Sequence, residues 1–344
     1  MMVRCVISRW VKSRTLANDI TLFRKPPPRQ PVAETVGAQG RVVASELNPQ
    51  LADPCLGTDA SPAKLSVMTG ATEACLANIR LHPIKSLDPI SVPEARVGPS
   101  GGLEHDRAWA LYTVDNRWVN GKRTPLVLRI RAAFAPDLSR VTLSAPNDSR
   151  RIPVRDFAFP DGTENAAEWF SVYFEQKILV RHSRNGFPDD AIANGPTIVS
   201  TATLRALCDW FPEIDIEEAR RRFRTTLEIE AVDGPPGSSY RMPPFWEDRL
   251  FGPAKTYAVR FRIADVNFEG SNPCARCSVP SRDSYTGMDI NGFQRRFSDL
   301  RRDTLPAWAT QAHFDHFYRL AVNTRVARSE SGKKLRVGDP IVLL

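Results

Sequence analysis

The chain has 344 residues, of which 42% are hydrophobic and 25% charged, with a formal net charge of +8. That is the composition of a globular protein long enough for two domains. No apolar run reaches the roughly 18 to 20 residues of a membrane-spanning helix, and six cysteines (Cys5, Cys55, Cys75, Cys208, Cys274, Cys277) are too few for a disulfide scaffold at this length. The reading is a cytoplasmic protein with no membrane attachment, its thiols free to bind metal.

Residues 1–75 stand apart. "MMVRCVISRWVKSRTL" is basic and almost free of acid, "RKPPPRQP" is a stiff polyproline stretch, and the stretch from Ala33 to Leu65 has no sustained period of two or 3.6. This segment is expected to be a disordered or extraneous extension. Folded sequence is expected from about Ala77, with "ANIRLHPIKSL" and "ISVPEARVG" as strands and "PSGG" as a turn. "RAWALYTVDNRWVN" forms a hairpin through Asp115 and Asn116, and "RVTLSAP" and "RRIPVRDF" continue the short strands. "ENAAEWFSVYFEQKILVRH" is a helix feeding a strand.

A second block opens at "NGPTIVSTATLRALCDWF", where Ser200 or Thr201 caps a helix whose buried stripe is Leu204, Leu207 and Phe211. "RFRTTLEIEAV" and "KTYAVRFRIADV" alternate as strands, and "KKLRVGDPIVLL" is strand, turn, strand. The fold class is mainly β (α+β), barrel-like, with few helices. There is no βαβ rhythm and no glycine-rich phosphate loop. The domain limits expected are 76–190 and 191–344.

Two arginine clusters, "RRRFR" (Arg220 to Arg224) and "RRFSDLRR" (Arg295 to Arg302), read as solvated helix faces, although Phe223 suggests that one arginine of the first turns inward. The charge excess is otherwise dispersed: residues 1–75 hold nine Lys/Arg against six Asp/Glu. With most Trp and Phe in core-like alternation, no nucleic-acid partner is expected.

The segment "NPCARCSVPSRDSYTG" places Cys274 and Cys277 three positions apart. A zinc site would need a second pair, for which His313 and His316 in "HFDHF" are the best on offer, at unfavourable spacing. A thioredoxin-like pair would need a βαβ context. Two cysteines of purely structural use remain possible. So does a single thiolate on a metal that arrives mostly coordinated, with Arg276 favouring the deprotonated sulfur. Such a cofactor would also need phosphate anchors. Lys85 follows an apolar strand, Arg107 in "HDRAW" has Asp106 or Glu104 as an ordinary partner, and Arg224 interrupts an alternating strand. A bound phosphate would satisfy all three.

"PCARC" followed by "DSYTG", with "RFR" upstream and "LRVGDPIVLL" at the end, resembles the molybdenum cofactor sulfurase C-terminal (MOSC) domain. "LHPIKSL" and "GGLEHDRAWALY" resemble the β-barrel domain that precedes it in the amidoxime-reducing component family. The resemblance covers roughly residues 77–344 and implies a MOSC domain preceded by a smaller β-barrel-type domain, with a molybdenum cofactor (molybdenum–molybdopterin) between them. It implies Cys277 as the metal ligand and Cys274 as supporting structure. It implies cofactor contacts at Lys85, Ser86, Arg107, Arg224, Ala275 and Arg276, and more loosely at Asn194. A tyrosine contact of the family is replaced around Leu320, and "NGFQRRFSDLRRDTLPAW" departs from the better-known reductases.

The activity implied is two-electron reduction of N-hydroxylated compounds. Electrons would come from a separate ferredoxin, flavoprotein or similar donor, since no iron–sulfur, nicotinamide or flavin fingerprint is present. The other reading is a cofactor carrier or sulfur-transfer protein. The pyridoxal phosphate binding associated with larger sulfurases belongs to a separate domain, for which a chain of this length has no room.

Overall fold

The computed structural model describes residues 73–190, 192–232, 240–254 and 257–344. The extension expected over residues 1–75 lies outside the described residues except for its last three positions, of which Ala74 and Cys75 open the first strand.

In chain order the first half holds β1 (Ala74–Leu81), β2 (Ile90–Val92), β3 (Glu94–Arg96), β4 (Trp109–Thr113), β5 (Trp118–Val119), β6 (Arg131–Phe134), β7 (Arg140–Ser144), β8 (Arg155–Ala158), α1 (Thr163–Phe174) and β9 (Ile178–His182). The second half holds β10 (Ile198–Ser200), α2 (Thr201–Trp210), α3 (Ile216–Phe223), β11 (Leu227–Ala231), β12 (Val259–Ile263), β13 (Val266–Ala275), α4 (Phe293–Asp303), β14 (Arg319–Arg325), β15 (Lys334–Arg336) and β16 (Pro340–Leu343).

Seven strands close a barrel in the order β1, β11, β10, β14, β13, β12, β16 and back to β1. Closure occurs at Ala74, which opposes Ala231 on one side and Ile341 on the other. Alternation sends one face of each strand inward, so Leu76, Ile79, Ile229, Phe268 and Val322 meet in one dry cluster. Each side chain of this size contributes roughly 1.5 to 3 kcal/mol by burial. The mainly β reading with few helices holds.

The first half builds a second core. The β5–β4–β9 and β6–β7–β8 sheets enclose Leu111, Val127, Leu143 and Ile178 together with Phe170 and Tyr173 from α1. A third cluster lies under α2, α3 and α4, where Leu204, Leu207, Phe223, Phe293 and Phe297 pack with Tyr318. Ser200 caps α2 as expected, its hydroxyl accepting from the Thr203 N–H at 3.1 Å.

Several local expectations are corrected. The strand expected of "RFRTTLEIEAV" starts only at Leu227: residues 216–223 are helical, in keeping with the helix reading of "RRRFR", because Asp215 caps the start, accepting from Glu218 N–H at 2.7 Å, and Glu218 pairs with Arg222 one turn on. Arg224 is the left-handed residue that ends this helix, with φ 52°. The second expected strand breaks at Pro93 into β2, which pairs with β1, and β3, which pairs with β15. The closing segment is strand, turn, strand as expected, with β15 paired to β3 and β16 to β12 and β1. One parallel crossover exists after all, β10 to β11 through α2 and α3.

The second arginine cluster is not wholly solvated either. Arg301 is 1% exposed, ion-paired with Asp248 and stacked 3.8 Å from the Phe245 ring centroid.

Candidate functional site

Lys85, Arg107 and Arg224 come from three separate segments and are brought together by each other's backbone. The Lys85 N–H donates to Trp109 O at 2.7 Å, fixing the turn after β1 against β4. The Arg107 N–H donates to His82 O at 2.8 Å, and its own carbonyl accepts from Phe187 N–H at 2.8 Å. The Lys85 ammonium then donates to Phe187 O at 2.8 Å and lies 4.2 Å from the Trp118 ring centroid. The Arg107 guanidinium donates through Nη2 to Arg224 O at 2.9 Å, and Arg224 reaches Leu87 O at 2.8 Å.

Backbone strain marks the same positions. Ser86, Arg107 and Arg224 have φ of 75°, 53° and 52°, the left-handed region that non-glycine residues seldom enter. Each such residue costs on the order of 1 to 3 kcal/mol, and such residues concentrate at functional sites.

The electrostatics follow from crowding like charges in a poorly solvated place. Burial pulls the Lys85 ammonium below its ordinary range; Asp189, 2.7 Å away, opposes this, while Arg107 and Arg224 add to it. Burial and then the Arg107 charge bring Arg224 down to about 10. Arg107 goes the other way: burial works against its charge, but Asp106 and Asp189 outweigh it. Asp106 is the ordinary partner expected from "HDRAW", and Glu104 turns instead toward Arg96 at 3.8 Å. Burial opposes the Asp106 carboxylate, yet Arg107 and His82 hold it down at about 2.

The cysteine pair sits beside this cluster. Cys274 and Ala275 are the last residues of β13, and Cys277 lies exposed just beyond, its sulfur 3.5 Å from Val279 N–H. The Arg276 guanidinium is held between the two halves of the site. It donates to Cys274 Sγ at 3.1 Å and to the carbonyl of Phe223, the residue before Arg224. Cys274 also reaches Arg107 electrostatically. Ser86 Oγ accepts from Gly121 N–H at 3.4 Å, and a side chain at Gly121 would meet Leu128 at 2.9 Å and Val279 at 3.2 Å. Gly121 thus lets the Ser86 turn and the Cys277 loop approach each other.

Asn194 is held by backbone groups. Its amide donates to Ser100 O and Val326 O and accepts from Val326 N–H at 3.3 Å, clamping the glycine turn to the end of β14. His313 is buried on Phe251 with Nε2 2.7 Å from Gly252 O, and among the described residues no three His, Cys, Asp or Glu are grouped to hold a metal.

Three site residues escaped the sequence reading. His82 is fully buried beneath Arg107 and Arg224, with neither ring nitrogen hydrogen-bonded among the described residues; burial and the Arg224 charge hold it neutral. Asp189 arrives from the loop after β9. Tyr318, whose carbonyl accepts from Arg276 N–H at 3.0 Å, buries a hydroxyl with no partner among the described residues near Arg276 and Cys277. The histidine in "LHPIKSL" was the one available signal; the other two become neighbours only through the fold.

Residues 73–177 match the MOSC N-terminal beta barrel domain. The chain is 26% identical over 117 residues to the mitochondrial amidoxime-reducing component 1 of Xenopus laevis, covering 29% of this chain and 34% of that protein. It is 22% identical over 296 residues to a molybdenum cofactor sulfurase of Caenorhabditis briggsae, covering 78% of this chain and 38% of that protein. Among the described residues no helix is long and apolar enough to cross a membrane. Residues 73–177 thus match the MOSC N-terminal beta barrel domain, and the chain is similar along most of its length to a molybdenum cofactor sulfurase.

Proposed function

We propose that the chain binds a molybdenum cofactor and uses it to reduce N-hydroxylated compounds with electrons from a separate donor. The observation that carries this reading is the convergence of Lys85, Arg107 and Arg224, each from a different segment, beside an exposed cysteine. Asp106 and Asp189 balance Arg107 and Lys85, but Arg224, on left-handed backbone and crowded by Arg107, has no carboxylate in ion-pair range among the described residues, which suits the cluster to a further anion.

The residues fit the group. The buried Arg276 Nε has no partner among the described residues and stands between the cation cluster and the thiol. Cys277 is the thiolate that would hold the metal, a soft ligand suited to it. Lys85, Arg107 and Arg224 would hold the pterin phosphate through charge-assisted hydrogen bonds, with Ser86 at the turn. When bound, the cofactor supplies the two-electron redox chemistry.

The chain's own residues do the rest. Asp106 fixes Arg107, the Phe223 carbonyl and Cys274 fix Arg276, and the end of β13 presents Cys277 to solvent, where a small molecule can approach. The net reaction is R–NHOH + 2 e⁻ + 2 H⁺ → R–NH₂ + H₂O, with the N–O bond broken and the oxygen leaving as water. The same exposed Cys277 also suits a carrier or sulfur-transfer role without turnover. A cytoplasmic site of action is part of the proposal, supported by the free thiols of Cys208, Cys274 and Cys277.

The test is elemental and pterin analysis of the purified protein, followed by turnover of benzamidoxime. We expect molybdenum near one per chain, reduction with reduced viologen, and none with NADH alone. Metallated protein inactive with every donor and N-hydroxylated substrate would favour the carrier role. Protein that takes up neither molybdenum nor pterin would overturn both.

A further inference from the structure

The loop after Cys277 is held far more firmly than its exposure would require. Arg282 and Asp289 form a bridge, Asp283 N–H donates to Met288 O at 2.9 Å, and Gly287 N–H returns to Asp283 O at 2.9 Å. Inside the turn, the Asp283 carboxylate accepts from Tyr285 N–H, Thr286 N–H and the Thr286 hydroxyl at 3.0, 2.7 and 2.8 Å.

Three residues from two other segments pin the loop from behind. Arg129 donates to Thr286 O at 2.6 Å, Arg131 to Ser284 O at 2.8 Å, and Ser284 N–H to Glu218 at 3.0 Å. Gly287, at φ +70°, approaches so closely that a side chain there would meet Pro125 O at 2.8 Å.

Out of this restrained loop Tyr285 and Met288 project, 41% and 66% exposed. A packed loop that leaves Met288 in water and Tyr285 half-exposed, its hydroxyl accepting from Arg221, has the anatomy of an interface, where Tyr, Met and Arg are enriched and little ordering entropy remains to be lost.

The surroundings are electropositive. Arg131 and Arg221 both lie over the Tyr285 ring, at 5.1 and 4.9 Å. The nearby carboxylates are committed: Asp88 to Arg131, Glu218 and Asp283 to Arg222, and Asp289 to Arg282. Arg282 also donates at 2.5 Å to the carbonyl of Gly121, which places the exposed Lys122 and Arg123 on the same side. Among the described residues Lys122, Arg123 and Arg221 have no carboxylate partner.

We infer that Tyr285 and Met288, with Arg221 over the Tyr285 ring and Lys122 and Arg123 beyond Arg282, are the docking surface for a small acidic one-electron-transfer protein. A second copy of this chain would set the same cations against themselves, which like-charge repulsion disfavours. A partner with acidic side chains is complementary, and the surface adjoins Cys277: Val279 contacts that sulfur, and its carbonyl accepts from Arg282 N–H at 3.0 Å. The inference rests on the reductase reading for its purpose. Each turnover would oxidise two one-electron donors by one electron each, with two protons taken from solvent.

The probe is a plant-type [2Fe–2S] ferredoxin, an acidic protein. Binding is measured by titrating oxidised ferredoxin with the full chain at low salt, and turnover by comparing reduced ferredoxin with reduced viologen as donor. The variants are Lys122→Glu/Arg123→Glu and Tyr285→Ala/Met288→Ala. We expect each pair to weaken ferredoxin binding at least about fivefold, and raising ionic strength from about 50 to 200 mM to weaken the parent complex similarly. Viologen-driven turnover should stay within about twofold of the parent. Absent ferredoxin binding, or binding indifferent to both variant pairs and to salt, overturns the docking surface. Absent viologen turnover overturns the reductase reading instead and leaves the binding result to stand alone.

Discussion

Arg107 donates through Nη2 to the backbone carbonyl of Arg224 at 2.9 Å, although the two are 117 positions apart in sequence. The side chain of one cation thereby sets the position of the other, and neither can move without disturbing the shared pocket. Replacing either by Ala should reduce pterin content on purification and weaken stabilisation of the cofactor-free protein by added pyrophosphate. Loss of one charge-assisted bond of roughly 1.5 to 3 kcal/mol corresponds to about a 10- to 150-fold weaker anion affinity. Because the residues are coupled, the double variant should lose less than the sum of the singles. Unaltered pterin content in both singles would mark the cations as structural.

Cys277→Ala should abolish molybdenum retention while thermal unfolding stays cooperative, since the exposed side chain makes little of the core. Cys274→Ala should keep most of the metal, because Arg276 retains its bond to Phe223 O when the sulfur is lost. Elemental analysis decides, and equal loss from the two variants would contradict a single ligating thiolate.

Glu247 predicts a pH effect on stability. It is fully buried next to Asp248, accepts from Thr203 Oγ1 at 3.0 Å, and burial followed by the Asp248 charge raises it from 4.5 to about 7. A carboxyl whose folded pKa is raised takes up its proton more readily when folded, so stability falls as pH climbs from about 4.5 through 7. Glu247→Gln removes that dependence. Denaturant unfolding should find the variant gaining about 2 to 3 kcal/mol on the parent between pH 5 and pH 8. A gap that does not change with pH would show that Glu247 stays ionised.

Arg301→Ala should destabilise by about 3 to 5 kcal/mol, because Asp248 keeps its burial and loses its ion-pair partner. Arg301→Met combined with Asp248→Leu should recover most of this. The denaturation midpoint at pH 8 separates the outcomes, and a single variant as stable as the parent would mean that the pair contributes nothing there.

Much of the architecture was legible because it is local. The Ser200 cap and the Leu204 and Leu207 stripe of α2 are written within eight residues, and the hairpin of β4 and β5 within its turn. "RFRTTLEIEAV" misled at its start because Phe223 between two arginines imitates alternation, while Asp215 and Glu218, which set the helix, lie upstream. β15 and β16 were legible as two strands about a Gly-Asp turn, but their neighbours were not, since only the tertiary fold pairs β15 with β3 and β16 with β12 and β1.

In the site, Lys85, Arg107, Arg224 and the cysteines could be named because their types and motifs announce chemistry. Tyr318 and Asp189 could not, since an orphaned hydroxyl and a loop carboxylate become partners only when distant strands meet.

The pairing of Ala74 with Ile341 also bears on how the molecule is made. At about 5 to 20 residues per second of synthesis, β1 waits roughly 13 to 50 s for its last neighbour. Through that interval the barrel is an open sheet with its apolar lining and an unpaired edge in water. The first half, whose core draws on residues 84–180 together with Val279, can condense early, but the strand that precedes it must stay unclosed. A nascent chain of this kind should depend on holding chaperones, and truncation before residue 340 should give aggregation in place of a smaller folded unit.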